Sequence, residues 1–217
     1  MRSTLRFRYQ TFEFGSTDIH LRSLRDAQEY SDDDGIAENL GISSANWSLF
    51  GVVWASSEVL AQFMYHYDTA GKRILEVGCG IALTSLMLNH RQADITATDY
   101  HPEVSGFLLE NTRLNQDAEI PFVRTGWGDA ISSLGEFDLI IGSDLLYEQN
   151  HVEELSSFID QHAKPHASVV MVDPGRGHHA RFSKAMVKRG YSHSQHRPLP
   201  SETIPPSFRG QILEYQR

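Results

Sequence analysis

The sequence predicts an α/β fold with three layers, in which a mostly parallel β-sheet lies between helices and an N-terminal β-hairpin forms an extension. From residue 51 onward, short apolar runs typical of strands alternate with segments of helical composition. That order requires βαβ crossovers, which place helices on both faces of a parallel sheet. Before residue 51, apolar and polar residues alternate with a period of two, which is typical of a β-hairpin.

The N-terminal extension contains two alternating runs within residues 5–24, and residues 15–18 (Gly-Ser-Thr-Asp) interrupt them with turn chemistry. We therefore predict a β-hairpin there. The acidic segment 32–35 has turn chemistry without an apolar period, which predicts a solvent-exposed loop. Residues 1–50 are thus expected to form a hairpin and loop extension, and residues 51–217 the main domain.

The main domain is expected to begin with an amphipathic helix over 51–67, which Gly71 closes. Strands and helices then follow in this order: strand 73–77, helix 82–88, strand 95–99, helix 102–114, strands 121–124 and 137–142, helix 152–163, strand 168–172 and helix 179–188. The tail 191–217 holds several prolines and an apolar end segment, Ile212 to Tyr215, for which we predict an antiparallel hairpin at the sheet edge.

The composition is that of an ordinary globular protein, with 217 residues of which 40% are hydrophobic and 22% charged. No stretch approaches the run of about 20 apolar residues that spans a bilayer, so we expect no membrane insertion. Residues 1–8 mix three arginines with apolar residues and lack the apolar core of a secretory signal, which favours the cytoplasm. Cys79 is the single cysteine, which excludes an intramolecular disulfide and a cysteine-rich zinc site.

The formal net charge of −9 argues against nucleic acid as a partner, because binding to phosphates needs clustered basic residues. A basic strip is present near the C-terminus, and on a helix it predicts a solvated face; its members are Arg176, Arg181, Lys184, Lys188 and Arg189. His178 and His179 are adjacent and would point apart on a helix, so we predict no metal site.

A glycine loop, Gly78-Cys79-Gly80, follows the first core strand, at the edge where open parallel sheets bind ligands. Glycine lacks a Cβ, so its backbone can approach a ligand closely and adopt positive φ. Leu83 stands where a dinucleotide fingerprint has its third glycine, which counts against a pyrophosphate cofactor and suits the amino-acid tail of an adenosyl compound. A nicotinamide oxidoreductase remains an alternative at this stage.

Asp99 closes the second core strand about twenty residues beyond the glycine loop, where an acidic side chain can accept hydrogen bonds from both ribose hydroxyls. The alternative role is an N-cap for the helix that begins near Pro102. A nucleoside with a tail other than pyrophosphate points to S-adenosylmethionine as the cofactor.

Four further side chains suit the same ligand. Trp127 follows the third strand, where an adenine ring would rest against an aromatic surface. Trp54 lies early in the helix before the first core strand and could close the cofactor from above. Core packing is the alternative for both tryptophans. Asp144 and Tyr147 follow directly on the fourth strand, and we expect both to face the methyl donor.

The combined pattern resembles the seven-strand S-adenosylmethionine-dependent methyltransferases and, within them, methyltransferase family 16, which is rich in protein-lysine methyltransferases. The resemblance spans residues 51–190 and implies a Rossmann-like methyltransferase fold around a seven-stranded sheet. It rests on residues 53–54 (Val-Trp), 75–80 (Leu-Glu-Val-Gly-Cys-Gly), 98–100, 111, 115, 126–127 and 137–147. Members commonly have Thr-Gly-Leu after the glycine loop, whereas this sequence has Ile81-Ala82-Leu83.

The resemblance also implies site residues. The Asp-x-x-Tyr signature of the family falls on Asp144 and Tyr147, which are thereby the catalytic candidates. The implied cofactor contacts are Trp54, Glu76, Gly78, Cys79, Gly80, Asp99, Tyr100, Trp127 and Ser143. Residues 173–176 (Asp-Pro-Gly-Arg) are similar to a segment of the branch that methylates the β-subunit of electron-transfer flavoprotein, although Pro-Gly is also an ordinary turn.

A sulfonium donor is already activated, so the main task of the enzyme is to hold a nucleophile in line with the methyl carbon. If the acceptor is a lysine, its ammonium must first lose a proton, and a desolvated site helps. We assign Asp144 to orienting the amine and Tyr147 to packing or hydrogen bonding beside it. We expect a monomer that acts on a protein substrate and releases S-adenosyl-L-homocysteine. A small-metabolite acceptor and a catalytically silent adenosyl-binding or assembly module remain alternatives.

Overall fold

The computed structural model describes residues 5–129, 132–147, 151–199, 205 and 208–217. Within them a seven-stranded sheet and a separate two-stranded hairpin combine with helices. The strands are β1 Phe7–Phe14, β2 Thr17–Leu24, β3 Arg73–Val77, β4 Asp94–Asp99, β5 Phe122–Arg124, β6 Phe137–Ser143, β7 Ala163–Asp173, β8 Ser192–His196 and β9 Gln211–Gln216. The α-helices are α1 Ile36–Asn39, α2 Ala55–Tyr65, α3 Leu83–His90, α4 Val104–Leu114, α5 His151–His162 and α6 His179–Lys188.

The main sheet has the strand order β5-β4-β3-β6-β7-β9-β8. Strands β3 to β7 pair in parallel, and β9 runs antiparallel between β7 and β8. The predicted α/β fold is confirmed, and so is the antiparallel hairpin of the tail. Chain order reverses between β3 and β6, and the carboxyl ends of these two strands flank the crevice where sheets of this kind bind ligands.

Alternating side chains of the central strands divide the core into two layers. Ile74 of β3 and Ile141 of β6 pack with helices α2, α3 and α4 on one face of the sheet. Leu75 and Ile140 pack with α5 and α6 on the other face. This arrangement follows from the period of two along a strand, because both faces of a parallel sheet are covered by helices.

Three elements differ from the sequence-based expectation. Asp32 accepts hydrogen bonds from the backbone N–H groups of Ala37 and Glu38, so part of the acidic segment caps the short helix α1. Helix α2 begins at Ala55 because a single 3₁₀ turn over Leu49–Gly51 and an extended Val52 precede it. Strand β7 starts earlier than predicted, since a register shift against β6 lets residues from 163 onward join the sheet.

The N-terminal hairpin packs on the α2–α4 side through apolar residues of both strands, including the buried Phe14 and Leu21. Asn111 of α4 and Asn115, which directly follows the helix and lies one turn further on, bind the outer edge of β2. Asn111 accepts from Arg22 N–H (2.7 Å) and donates to its carbonyl (3.1 Å), and Asn115 does the same for His20 (2.8 and 2.7 Å). The backbone N–H and C=O groups at this edge of β2 thereby find hydrogen-bond partners without another strand. The division of the chain at residue 50 stays a prediction.

Replacing Asn111 with alanine should destabilise the fold by roughly 1–3 kcal/mol, because the buried backbone groups of Arg22 lose both partners. The free energy of unfolding in urea measures this. Arg113→Ala on the exposed side of the same helix is the control, with an expected change within about 0.5 kcal/mol. Equal stability of the two variants would show that the asparagine contacts do not hold the hairpin.

Candidate active site

The glycine loop between β3 and α3 lies at the switch point of the sheet. Gly78 and Gly80 both have positive φ, 58° and 52°, which favours glycine. A Cβ on Gly78 would lie 2.5 Å from Leu145 Cδ2 and 3.6 Å from the Trp127 ring. The absence of a side chain therefore lets the loop approach both the β6 end and the tryptophan. Cys79 is buried, and its N–H donates to the carbonyl of Thr98 at 2.9 Å.

Asp99 connects the end of β4 to the glycine loop. One carboxylate oxygen accepts from Gly80 N–H and the other from His101 N–H, both at 2.8 Å. Burial raises the pKa of Asp99, whereas these backbone hydrogen bonds lower it. The predicted N-cap alternative for Asp99 does not hold, because Glu103 is the residue that precedes α4.

Tyr100 directly follows Asp99, and Trp127 directly follows Gly126, which packs against Tyr100; we call these two side chains the aromatic wall. The N–H of Thr125 donates to the Asp99 carbonyl at 2.9 Å, which brings the segment after β5 alongside the end of β4. A Cβ on Gly126 would lie 3.4 Å from the Tyr100 ring, so this glycine lets the two segments pack closely. The Tyr100 hydroxyl donates to the carbonyl of Leu40 at 2.6 Å and so ties the wall to the segment after α1.

The turn after β6 presents Ser143 and Asp144. Asp144 has a φ of 56°, a left-handed conformation that aspartate adopts more readily than most residues, and its N–H donates to the carbonyl of Val172 at 2.9 Å. Its carboxylate pairs with Arg176 of the loop after β7. Burial raises the pKa of the neighbouring Asp173, and the charge of Asp144 adds to that rise.

His151 links the two halves of the candidate site. Its ring packs edge-on against Tyr147, with centroids 4.5 Å apart, and edge-on against Trp127, at 5.1 Å. No local sequence signal marks His151 as a site residue, because its contact with Trp127 joins the start of α5 to the segment after β5. Arg176 was noticed only as part of a turn-like segment and a basic strip.

Trp54 lies at the N-terminus of α2, away from the aromatic wall. Its indole N–H donates to the carbonyl of Leu49 at 2.9 Å, in the 3₁₀ turn that contacts the glycine loop. In that turn the carbonyl oxygen of Phe50 would be 3.3 Å from a Cβ on Gly80, and the Phe50 ring stacks on His101 at 4.0 Å. Asp99 and Trp127 thus lie against the glycine loop, Leu145 brings the turn with Asp144 to Gly78, and Trp54 is joined to the loop through the 3₁₀ turn.

Glu76 lies beneath the glycine loop, with only 2% of the residue exposed. Its carboxylate accepts from the N–H of Ser85 at 2.9 Å and from the hydroxyl of the same residue. Glu76 therefore fixes the first turn of α3 to β3, and its contact with a cofactor stays a prediction. Burial raises its pKa to about 7, although the Ser85 hydrogen bonds work in the opposite direction.

The candidate site is identified from the side chains that meet at the glycine loop and not from the volume of a cavity. A cavity of about 560 Å³ lies at the opposite edge of the sheet, lined by residues 66–72 and 91–94 near the amino ends of β3 and β4. In the described part of the chain, no helix is both long and apolar enough to cross a bilayer. Across those same residues, His, Cys, Asp and Glu side chains form no group of three or more suited to a metal ion.

Comparison with known proteins identifies the family. A model described as lysine methyltransferase matches residues 37–188, which is more than half of the chain. The chain belongs to the lysine methyltransferase family.

Named relatives of this family member include protein N-lysine methyltransferase METTL21A of Danio rerio, 31% identical over 48% of the chain and 52% of the relative. Protein-lysine methyltransferase METTL21E of Bos taurus is 31% identical over 56% of the chain and 46% of the relative. Histone-arginine methyltransferase METTL23 of Xenopus laevis is 28% identical over 48% and 47%. The chain thus spans about half the length of the curated relatives it matches.

Solved structures share the fold of this family member. A ribosomal protein L11 methylase from Lactobacillus delbrueckii aligns with a TM-score of 0.60 at 17% identity, over 75% of the chain and 78% of that structure. The magnesium protoporphyrin IX methyltransferase of Synechocystis, solved with bound SAM, aligns with a TM-score of 0.55 at 20% identity, over 75% and 77%. The Rossmann-like methyltransferase fold is therefore confirmed.

The structure shows how this family member accommodates Ile81-Ala82-Leu83 in place of the common Thr-Gly-Leu after the glycine loop. Ala82 occupies the place of the glycine in Thr-Gly-Leu and has a φ of 60° directly before α3. An L-residue in that conformation costs roughly 1–2 kcal/mol, which a glycine avoids. The loop keeps its left-handed geometry with alanine, and the Cβ of Ala82 is fully buried.

The variant Glu76→Gln should gain stability relative to the wild type as the pH rises from about 4.5 to about 7. Between these pH values the carboxyl of Glu76 keeps its proton in the folded protein and loses it in the unfolded protein. The free energy of unfolding of the wild type therefore falls as the pH rises through this window. The difference in unfolding free energy should change by about 3 kcal/mol across the window. Denaturant titrations at several pH values measure it, with Glu119→Gln on the surface as the control. A pH-independent difference would contradict the prediction.

Proposed function

We propose that the chain is an S-adenosylmethionine-dependent methyltransferase that N-methylates a lysine side chain of a protein. The observation that carries the proposal is the meeting of the glycine loop, Asp99 and Trp127 at one switch point, with Leu145 packed against Gly78 and preceded in the chain by Asp144. The first three suit an adenosyl ligand, and the last suits a cationic acceptor. Family membership adds the expectation of methyl transfer to lysine.

S-adenosylmethionine supplies a methyl group that is already activated on sulfur. In this proposal Asp99 binds the ribose hydroxyls, and Tyr100 and Trp127 flank the adenine. The glycine loop leaves room for the amino-acid tail, with Trp54 and Ser143 at the rim. The methyltransferase from Synechocystis, which was solved with bound SAM, supports this choice of cofactor.

On the acceptor side, Asp144 orients the amine and Tyr147 packs beside it. Tyr147 is about two-fifths exposed, and the buried Leu145 and Leu146 separate it from Asp144 along the chain. An apolar surround of this kind weakens the hydration of an incoming ammonium and so favours its neutral form. A small-molecule acceptor would use the same donor side, and a silent binding module would lack turnover altogether.

The proposed partner is a protein substrate, and the proposed location is the cytoplasm. The named lysine methyltransferase relatives favour a protein substrate. The net charge of −9 disfavours nucleic acid. The lone buried thiol is compatible with the reducing cytoplasm, which we propose as the location, together with a monomeric state.

Labelling with S-adenosylmethionine that carries a tritiated methyl group tests the function. The purified chain is incubated with the donor and a cell lysate, and the products are separated into protein and small-molecule fractions. A labelled protein band that yields methyl-lysine after acid hydrolysis is the expected result. Label in methyl-arginine or in small molecules would contradict the acceptor class, and no label above the enzyme-free control would contradict enzyme activity.

The variant Asp144→Asn should lower methyl incorporation about a hundredfold, because a misplaced acceptor costs that much in a positioned reaction. Asparagine also tolerates the left-handed backbone at this position. Asp68→Asn, an exposed change near the amino end of β3, is the matched control and should retain wild-type turnover. Full turnover by Asp144→Asn with unchanged S-adenosylhomocysteine affinity would refute the role of Asp144.

The variant Asp99→Asn should bind S-adenosylhomocysteine roughly tenfold to a hundredfold more weakly, since hydrogen bonds to a carboxylate contribute about 1.5–3 kcal/mol. Isothermal titration calorimetry measures the affinity, and parallel titrations with NAD should show no binding. Asp94→Asn, at the opposite and exposed end of β4, is the control. Tight NAD binding would favour an oxidoreductase, and unchanged affinity of Asp99→Asn would remove Asp99 from the cofactor site.

A further inference from the structure

The carboxylate of Asp144 is held by Arg176, from the loop that follows β7. Arg176 Nε donates to Oδ1 at 2.5 Å, and Arg176 Nη2 donates to Oδ2 at 2.9 Å. This is the two-pronged pairing in which a guanidinium binds a carboxylate most strongly. The Asp144 side chain is only 11% exposed and that of Arg176 44%, so the pair lies at the mouth of the site with its negative partner inside.

The loop after β7 places Arg176 beside Asp144. It leaves β7, the neighbour of β6, and so begins beside the turn that carries Asp144. The carboxylate of Asp173 accepts from the N–H of Gly175 at 2.8 Å and tightens the turn. Gly175 and Gly177 both have positive φ, 98° and 93°, so glycine is suited to the backbone on each side of Arg176.

Other charged and titratable groups surround the pair. Asp173, from β7, is 3% exposed, and it faces His179 of α6 at 3.7 Å. The pKa of Arg176 lies above its usual value, first because Asp144 accepts its hydrogen bonds, and further because Asp173 and Tyr147 lie nearby. Arg176 therefore stays charged and balances Asp144.

His151, at the start of α5, contacts the ring of Tyr147 and is a further titratable group near the pair. Its Nδ1 lies 3.1 Å from the Leu145 carbonyl.

The charge balance bears on the reaction expected of this site. A lysine attacks with the lone pair of its neutral amine. The lysine ammonium first releases a proton to solvent. The neutral amine then forms a new N–C bond to the methyl carbon, and the C–S bond breaks with its electron pair going to sulfur, which leaves a methylammonium and S-adenosylhomocysteine. An unbalanced carboxylate beside the amine would favour the ammonium form, which has no lone pair, and would raise the pKa of the lysine.

We propose that Arg176 is a positioning residue that neutralises Asp144, so that the acceptor lysine sheds its proton before it attacks the methyl carbon. The inference rests on the proposed function, because it concerns an amine acceptor at Asp144. Arg176 acts through Asp144 and not on the methyl group itself. It also gives the Asp-Pro-Gly-Arg segment a role beyond a turn.

The test compares Arg176→Gln, Arg176→Lys and the wild type across pH, with the acceptor protein isolated from the labelled band at saturating concentration. For Arg176→Gln, the pH midpoint at which kcat rises should shift upward by about one unit. Below that midpoint, kcat should therefore be about tenfold lower than in the wild type. KM for the acceptor should stay the same or fall, because a bare Asp144 attracts a cation more strongly. Arg176→Lys retains the charge and should restore most of the wild-type profile.

Arg113→Gln, which removes an exposed arginine paired with Glu110 on α4, is the matched control and should leave the profile unchanged. Calorimetry with S-adenosylhomocysteine should give the same affinity for all variants. An Arg176→Gln profile that coincides with the wild type, or an equal loss in both Arg176 variants without a shift, overturns the inference while leaving the proposed function intact. A wild-type chain that labels no protein overturns the proposed function and the inference with it.

Discussion

The two backbone hydrogen bonds that Asp99 accepts hold the candidate site together. One oxygen takes the N–H of Gly80 and the other that of His101, so the glycine loop and the start of the β4–α4 connection share one carboxylate. The left-handed residues of the loop bend it toward that carboxylate, and only residues without a bulky side chain adopt such a backbone at low cost. In the proposed function these contacts hold the donor side in place before S-adenosylmethionine binds, which limits the entropy lost on binding.

The N-terminal hairpin packs against the elements that carry the candidate site. Asn111 and Asn115 satisfy the outer edge of β2, and this places the hairpin against α4, the helix that follows Asp99. Further along, the carbonyl of Leu40 accepts from Tyr100 beside the candidate site. The extension therefore covers the core and also reaches the aromatic wall, so its packing bears on the cofactor side.

The donor and acceptor sides differ in their electrostatics. On the donor side a carboxylate is balanced only by backbone N–H groups and remains available to hydroxyl donors. On the acceptor side Asp144 is balanced by a full charge on Arg176, which suits a reaction that needs a neutral amine. The two sides meet at Gly78, where the missing Cβ admits Leu145 and the edge of Trp127. His151 lies behind this junction and supports both Trp127 and Tyr147.

The sequence by itself determined the layers of the fold and predicted the residues of the proposed donor side, because strand periodicity and a glycine loop followed by Asp99 are local signals. It could not determine contacts between segments far apart in the chain. The position of His151 between two aromatic rings, the pairing of Arg176 with Asp144 and the support of Ser85 by Glu76 depend on which strands become neighbours and on the direction of each turn. Tertiary structure decided these contacts. Trp127 and His151 are 24 residues apart and Asp144 and Arg176 are 32 apart, so each pair meets only when the sheet is assembled.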